Sequence, residues 1–275
     1  MELLNLLYRA IQYGFIQRAL VCGVLIAVAS SLLGNFLVLR KQSLISDGLS
    51  HVSFATIALS LLLGLSPLLI SIPLVIFASI LINKLSERAN MYSDSAIGLV
   101  SAIGISSGVV IISMSKGFNI DIYSYLFGSI LAISQVEVII SLVVSIIVII
   151  IIVLFFNDLF LLTYDEDYAH ISGVNIKLIN LILAVVQSII IVIGIKIVGA
   201  MLMSSLIIFP AISSLQVALN FKKMIIISIC ISVFSVIGGI ILSFLLNSPT
   251  GATIVLLNGV IFLCFFLLNK IMPVK

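Results

Sequence analysis

In this chain of 275 residues, 63% of the residues are hydrophobic and only 8% are charged, which excludes a water-soluble globule because soluble domains carry about 25% charged residues. The net charge of +3 comes from Lys and Arg residues between apolar runs, so it reports membrane orientation and does not favour a nucleic-acid partner. The composition predicts an all-α, polytopic integral membrane bundle that forms one transmembrane domain over residues 1–275.

The apolar runs predict about eight or nine transmembrane helices, because a spanning helix needs about 20 residues, or about 17 at the short end. Before the first run, residues 1–18 place Leu and Ile on one side and Asn5, Arg9 and Gln12 on another. This pattern predicts an amphipathic helix at the membrane surface. The candidate spans that follow are residues 19–39, 47–65, 67–83, 94–114, 136–156, 178–196, 198–219, 223–246 and 251–269.

Positive charges collect in alternate breaks between these runs. One side receives Arg40 with Lys41, Lys84 with Arg88, the segment 163–177, Lys222 with Lys223, and Lys270 with Lys275. The positive-inside rule makes this side cytoplasmic. Lys116, Lys196 and the uncharged residues 247–251 then lie on the outer side, and with nine spans so does the N-terminal helix.

Asp47 and His51 lie at the start of the second span, and placing such ionisable side chains in a membrane costs free energy. Residues four apart share a helix face, so an oxygen and an imidazole nitrogen can point toward one cation such as Zn²⁺, Mn²⁺ or Fe²⁺. If the helix begins near Gln42, His51 lies about 13 Å along it. Two alternatives remain open: Asp47 caps the helix, or His51 is a core residue that is hydrogen-bonded to a neighbouring span.

Two other apolar runs contain features relevant to a translocation pathway through the membrane. Residues 101–108, SAIGISSG, leave little side-chain bulk on one side of their helix, which predicts close helix packing or, alternatively, a lined channel. Pro210 lies inside its run and frees a backbone carbonyl. We expect Ser204, Ser205 or water to satisfy that carbonyl, at a kink beside a cavity.

The segment 161–178 is the one strongly polar stretch. Asp165, Glu166 and Asp167 precede Ala169 and Gly173, which predicts a short capped helix that ends at glycine. Such a helix either is a solvated loop element or docks a cytoplasmic protein. Because the sequence has no GxxxxGK[ST] phosphate loop, ATP hydrolysis would need a separate subunit.

Several stretches together resemble the permease of the metal-cation ABC importers, the family that takes up zinc, manganese or iron. They are NFLVLRKQSLISDGLSHVSFATIALSLLLG at 35–64, LTYDEDYAHISGVNIKLINLIL at 162–183, IKIVGAMLMSSLIIFPAISSLQVA at 195–218 and YLFGSILAIS at 125–134. The resemblance implies the type II importer architecture. A fainter similarity links NSPTGATIVLLNG at 247–259 to vitamin B12 and siderophore permeases of that architecture.

The resemblance also implies roles for particular residues. Asp47 and His51 match the family's positions for cation coordination, and residues 165–173 resemble the coupling helix that fits a groove in the ATP-binding subunit. The implied contact residues are Asp165, Glu166, Asp167, Tyr168, Ala169 and Gly173.

The implied assembly is a permease homodimer in the cell membrane, with two ATP-binding cassette subunits on the cytoplasmic side and a metal-binding protein outside. The transported Zn²⁺, Mn²⁺ or Fe²⁺ ion is its only metal, no cofactor is permanently bound, and the permease itself is not an enzyme. Two rivals stay open: a permease for a siderophore, haem or cobalamin, and a gradient-driven metal carrier.

Overall fold

The computed structural model describes residues 13–88, 92–114, 128 and 133–271. Within these residues the chain is helical and contains no strand, which confirms the all-α prediction. The helices are α1 Gly14–Leu39, α2 Ile45–Leu62, α3 Pro67–Arg88, α4 Ser93–Met114, α5 Gln135–Leu154, α6 Phe156–Tyr164, α7 Glu166–Ile171, α8 Ile176–Val198, α9 Ala200–Leu215, α10 Phe221–Leu246 and α11 Thr250–Ile271.

Eight of these helices are long and apolar enough to cross a membrane, namely α1 to α5, α8, α10 and α11. The remaining predicted span, residues 198–219, corresponds to α9, which has 16 residues. At 1.5 Å per residue α9 is about 24 Å long, shorter than a hydrocarbon core of about 30 Å. The long apolar run divides at Gly199, whose φ is +91°. Helix α8 therefore ends at Val198, two residues after Lys196.

Most of the predicted surface helix over residues 1–18 lies outside the described part of the chain. The described residues from Gly14 onward belong to α1. The amphipathic character of the N-terminal segment therefore stays a prediction.

The chain divides into two compact units, of which the first comprises Met1–Val38, Tyr123–Ile149 and Gly194–Lys275. Its buried polar side chains pair across helices: Asn35 Nδ2 donates to Ser228 Oγ at 2.7 Å, and Ser31 Oγ donates to the same oxygen at 3.1 Å. Such bonds hold apolar helices together where no water competes for the donors. An ion pair, Lys196 Nζ to Glu137 Oε1 at 3.1 Å, joins the end of α8 to the start of α5.

The second unit comprises Leu39–Ile122 and Ile150–Ile193 and carries the candidate site. Here α2 packs against both α3 and α4. Gln187 Nε2 of α8 donates to Ser79 Oγ of α3 at 2.6 Å, and Ser188 Oγ donates to the carbonyl of Val75 at 3.3 Å. These bonds run antiparallel along α3 and α8, so the C-terminal end of α3 lies beside the N-terminal end of α8.

Candidate functional site

The helix that carries Asp47 and His51 begins at Ile45, close to the start of the predicted span 47–65. Lys41 adopts a left-handed conformation with φ +58°, and the N–H of Ile45 bonds the carbonyl of Gln42 at 3.1 Å in the following turn. Helix α2 therefore begins at Ile45, three residues after the start near Gln42 that the depth of about 13 Å assumed. His51 lies about 9 Å along α2 instead of about 13 Å, nearer to the end of the helix that we predict to be cytoplasmic.

The carboxylate of Asp47 and the imidazole of His51 lie on one face of α2, as predicted. Asp47 Oδ2 is 3.7 Å from His51 Nε2, and the two side chains are 58% and 33% exposed. That separation is too long for a hydrogen bond. Both ligand atoms therefore remain available to a third partner.

The two alternative roles find no support in the geometry. The residue that caps α2 is Leu44, and no side chain bonds the free N–H groups there, so Asp47 is not the cap. His51 forms no hydrogen bond to another helix within the described part of the chain. The carboxylate and the imidazole have only each other as polar partners among those residues.

Three glycines bring α2 and α4 into close contact. A Cβ atom on Gly104 would lie 2.9 Å from Val52 N and 3.1 Å from His51 C, and one on Gly108 would lie 2.6 Å from the Phe54 ring. From the other side, a Cβ on Gly48 would approach Ile97 Cγ2 to 2.7 Å. The close packing predicted for residues 101–108 is confirmed, and it fixes the backbone of the residues between Asp47 and His51.

One chain offers only a partial set of metal ligands. No group of three or more His, Cys, Asp or Glu side chains that could hold a metal ion occurs among the residues described. Asp47 and His51 together provide an oxygen and a nitrogen donor, whereas a zinc ion takes about four ligands. A second source of donors is needed to close the coordination sphere.

The polar segment after α6 forms the short capped helix that the sequence predicts. Asp165 adopts an extended conformation before α7, and its side chain accepts a hydrogen bond from the Tyr168 N–H at 3.0 Å. At the other end Gly173 has φ +83°, and the N–H of Val174 bonds the carbonyl of Ala169 at 3.0 Å. This is a Schellman ending, so both ends of a six-residue helix are satisfied.

Helix α7 buries one small residue and exposes larger ones. Ala169 is fully buried, while Tyr168 is 56% exposed and Ile171 is 83% exposed. Glu166 and Asp167 are exposed in the first turn, where carboxylates interact favourably with the helix dipole. Tyr168 and Ile171 share a face by their spacing of three, so an apolar patch projects from a segment predicted to lie in the cytoplasm.

Sequence reasoning missed Ile171 and Tyr164 as members of this surface. Tyr164 is 80% exposed and stacks its ring on Phe160 at a centroid distance of 6.3 Å. The available signal was the position of Ile171 one helical turn after Tyr168. An apolar side chain there has no core to enter, because Ala169 already occupies the buried position of the short helix.

Pro210 lies buried inside α9, and the helix continues through it to Leu215. Ser205 Oγ accepts a hydrogen bond from Asn258 Nδ2 of α11 at 3.1 Å. The buried hydroxyl of Ser204 has no hydrogen-bond partner in the described structure. The role of these serines in satisfying the carbonyl freed by Pro210 stays a prediction.

Comparisons with known proteins find relatives over nearly the whole chain. The family model described as the ABC 3 transport family matches residues 12–269. The manganese transport system membrane protein MntC of Listeria monocytogenes is 29% identical, covering 93% of this chain and 91% of that protein. The high-affinity zinc uptake system membrane protein ZnuB of Buchnera aphidicola is 34% identical, covering 90% and 94% respectively.

A solved structure has the same fold. PsaBC from Streptococcus pneumoniae, determined in complex with a Fab, superposes with a TM-score of 0.84 at 28% identity. The match covers 96% of this chain and 94% of that one. The helical architecture described above is therefore that of an ABC transporter permease.

Proposed function

Because the chain belongs to the ABC 3 transport family, we propose that it is the permease subunit of an ATP-driven importer for a divalent transition-metal cation. It is a multi-pass cell membrane protein with eight helices of spanning length among its described residues. The observation that carries the proposal is the Asp47–His51 pair, a carboxylate and an imidazole 3.7 Å apart and partly exposed on a membrane helix.

The chemistry of this pair suits a small, free cation. Carboxylate oxygen and imidazole nitrogen are ligands that Mn²⁺, Fe²⁺ and Zn²⁺ all accept. The names of the relatives, a manganese transport protein and a zinc uptake protein, favour Mn²⁺ or Zn²⁺. A bulky chelate would present its own ligands to the metal and would gain little from this pair.

Two copies of the chain would complete the site. A two-fold axis repeats each residue, so a homodimer with Asp47 and His51 near the axis would supply two oxygens and two nitrogens. This set matches the tetrahedral coordination that Zn²⁺ prefers. The ion would then be held between the two permease chains during transport.

Helix α7 is the element that would receive force from an ATP-binding subunit. Hydrogen bonds cap both of its ends, and its exposed Tyr168 and Ile171 offer apolar contact area to a groove. The sequence has no phosphate-binding loop, which supports separate subunits for ATP hydrolysis. A metal-binding protein outside the cell would deliver the ion, and alternating access would carry it inward.

Metal uptake by variants tests the site. In a strain that lacks the native permease, we expect Asp47→Ala and His51→Ala to lose most uptake of Mn²⁺ and Zn²⁺ at unchanged expression. Asp94→Ala is the matched control, because Asp94 is an exposed carboxylate in the first turn of α4. Uptake at the parental rate in both site variants would refute the coordination role.

Co-purification tests the docking role of α7. We expect Ile171→Ser to reduce recovery of the ATP-binding subunit. Leu219→Ser should leave recovery unchanged; Leu219 is 62% exposed in the loop between α9 and α10, next to the predicted cytoplasmic Lys222 and Lys223. Equal recovery in both variants would contradict docking through α7. Metal uptake that persists without any ATP-binding subunit would instead support the gradient-driven carrier.

A further inference from the structure

A cavity of about 510 Å³ lies between the C-terminal half of α3 and the N-terminal end of α8, within the second unit. Its polar lining consists of Asn83 and Lys84 from α3 with Lys177 and Asn180 from α8. Ile80 and Leu181 contribute apolar lining. The volume is in the range that binds small molecules, about 300–1,000 Å³.

The described lining of the cavity carries two positive charges, those of Lys84 and Lys177. Neither Lys84 nor Lys177 has an ion-pair partner, and the lining includes no carboxylate, within the described part of the chain. The side-chain amides of Asn83 and Asn180 can donate hydrogen bonds to phosphate oxygens. The first turn of α8 adds the positive end of its helix dipole.

The position of the cavity relative to the membrane follows from the helix pair. The bond between Ser79 and Gln187 lies in the apolar middle of α3 and α8. Lys84 lies about 7.5 Å beyond Ser79, and Lys177 lies about 15 Å before Gln187, at 1.5 Å per residue. Both lysines therefore lie on the side of that bond that the positive-inside rule makes cytoplasmic. Lys177 lies at the edge of a hydrocarbon core about 30 Å thick, where lipid headgroups begin, and Lys84 lies about 7.5 Å deeper.

The lining is thus polar and cationic at one end and apolar at the other. Leu181, which is 45% exposed, and the half-buried Ile80 of α3 continue the apolar surface toward the membrane interior. A free phosphate would use only the lysines and the asparagines. An anionic phospholipid would use both parts, with its phosphodiester between the lysines and an acyl chain along Ile80 and Leu181.

We propose that this cavity, formed by Asn83, Lys84, Lys177 and Asn180, is a specific binding site for the headgroup of an anionic phospholipid in the cytoplasmic leaflet. Basic pockets between transmembrane helices on that side recognise such headgroups. The site is separate from Asp47 and His51 and does not depend on the transported ion. Lipid binding there would brace the start of α8, immediately after the segment that contains α7.

Native mass spectrometry of the purified permease tests the proposal. The protein is exchanged into detergent with equal amounts of phosphatidylglycerol and phosphatidylcholine, and the retained lipid is counted per chain. We expect selective retention of phosphatidylglycerol, and about thirtyfold weaker retention in the double variant Lys84→Gln and Lys177→Gln. The variant with Arg at both positions should retain the lipid, which shows that the site tolerates substitution when its charge is kept.

The matched control is the double variant Lys222→Gln and Lys223→Gln. These adjacent exposed lysines begin α10 on the same predicted side, and they do not line the cavity. The control removes the same charge and should retain phosphatidylglycerol as the parent does. Equal loss in both double variants would overturn the proposal, because it would indicate only a general attraction to the basic face.

Displacement measurements distinguish a bound phospholipid from a bound free phosphate. Inorganic phosphate and the deacylated headgroup glycerophosphoglycerol should not displace the lipid at millimolar concentration, since neither fills the apolar part of the cavity. Displacement by inorganic phosphate, retention of phosphatidylcholine to the same extent, or no retained lipid at all would each refute a phospholipid site. If the glutamine double variant retained the lipid but no longer co-purified with the ATP-binding subunit, the cavity would be assigned to contact with that subunit instead.

Discussion

Gly104→Ala is the substitution that most sharply tests how the candidate site is held in place. The added Cβ would lie 2.9 Å from Val52 N, 3.0 Å from Val52 Cα and 3.1 Å from His51 C. All three are backbone atoms, so no side-chain rotation can relieve the contact, and α2 must move by several tenths of an ångström. Overpacking of this kind costs about 1–3 kcal/mol.

Gly98→Ala provides the matched control in the same helix, because no atom lies within 4 Å of the position its Cβ would take. Both substitutions gain about 1 kcal/mol of helix propensity, so the difference between them isolates the steric term. We expect Gly104→Ala to be less stable to thermal unfolding in detergent than Gly98→Ala by about 1–3 kcal/mol. Metal uptake should fall only in Gly104→Ala, and equal stability and uptake in the two variants would refute the packing argument.

Three further substitutions probe local features of the structure. Asp165→Ala removes the cap of α7 and should destabilise that helix by about 1 kcal/mol, seen as faster amide exchange at Tyr168; unchanged exchange would contradict the capping role. Gly173→Ala forces a side chain into the left-handed region at a cost of about 1–2 kcal/mol, so limited proteolysis at the end of α7 should accelerate, and an unchanged cleavage rate would count against strain. Lys196→Gln removes the partner of Glu137 and should lower the free energy of unfolding by about 1 kcal/mol or less; because the pair is partly exposed, the loss should shrink at high salt, and a loss independent of salt would argue against the ion pair.

Much of the fold was accessible from the sequence, because hydrophobic run length alone determines where a chain can cross a membrane. The runs around α4, α5, α10 and α11 were placed within two residues of their observed bounds for this reason. The division near Lys196 was displaced, since the sequence offered both a charge and a glycine. The structure ends α8 at the glycine, whose positive φ breaks the helix where the lysine does not.

The sequence predicted that Asp47 and His51 share a helix face, but it did not predict how far along the helix they lie. A spacing of four residues places Asp47 and His51 on one face whatever the exact start of the helix. The depth of the pair depended on that start, which a left-handed residue, Lys41, delays in a way that residue type did not signal. The packing partner was also hidden, because the glycines of α4 indicate a close approach without saying which helix they meet.

The apolar face of α7 was missed for a related reason. Acidic residues and a glycine predicted a capped helix, but the sequence could not show that Ala169 takes the buried position and leaves Tyr168 and Ile171 outside. That outcome depends on contacts between α6 and α7, where Leu159 and Leu162 are also buried.

The central claim, that two copies of Asp47 and His51 hold one transported cation, is tested most directly by metal stoichiometry. Purified permease in detergent is equilibrated with Mn²⁺ or Zn²⁺, and bound metal is measured by elemental analysis together with the mass of the complex. The account predicts one ion for every two chains, lost in Asp47→Asn and in His51→Gln although the dimer persists. One ion for each chain, or a bound ion that survives both substitutions, would contradict it.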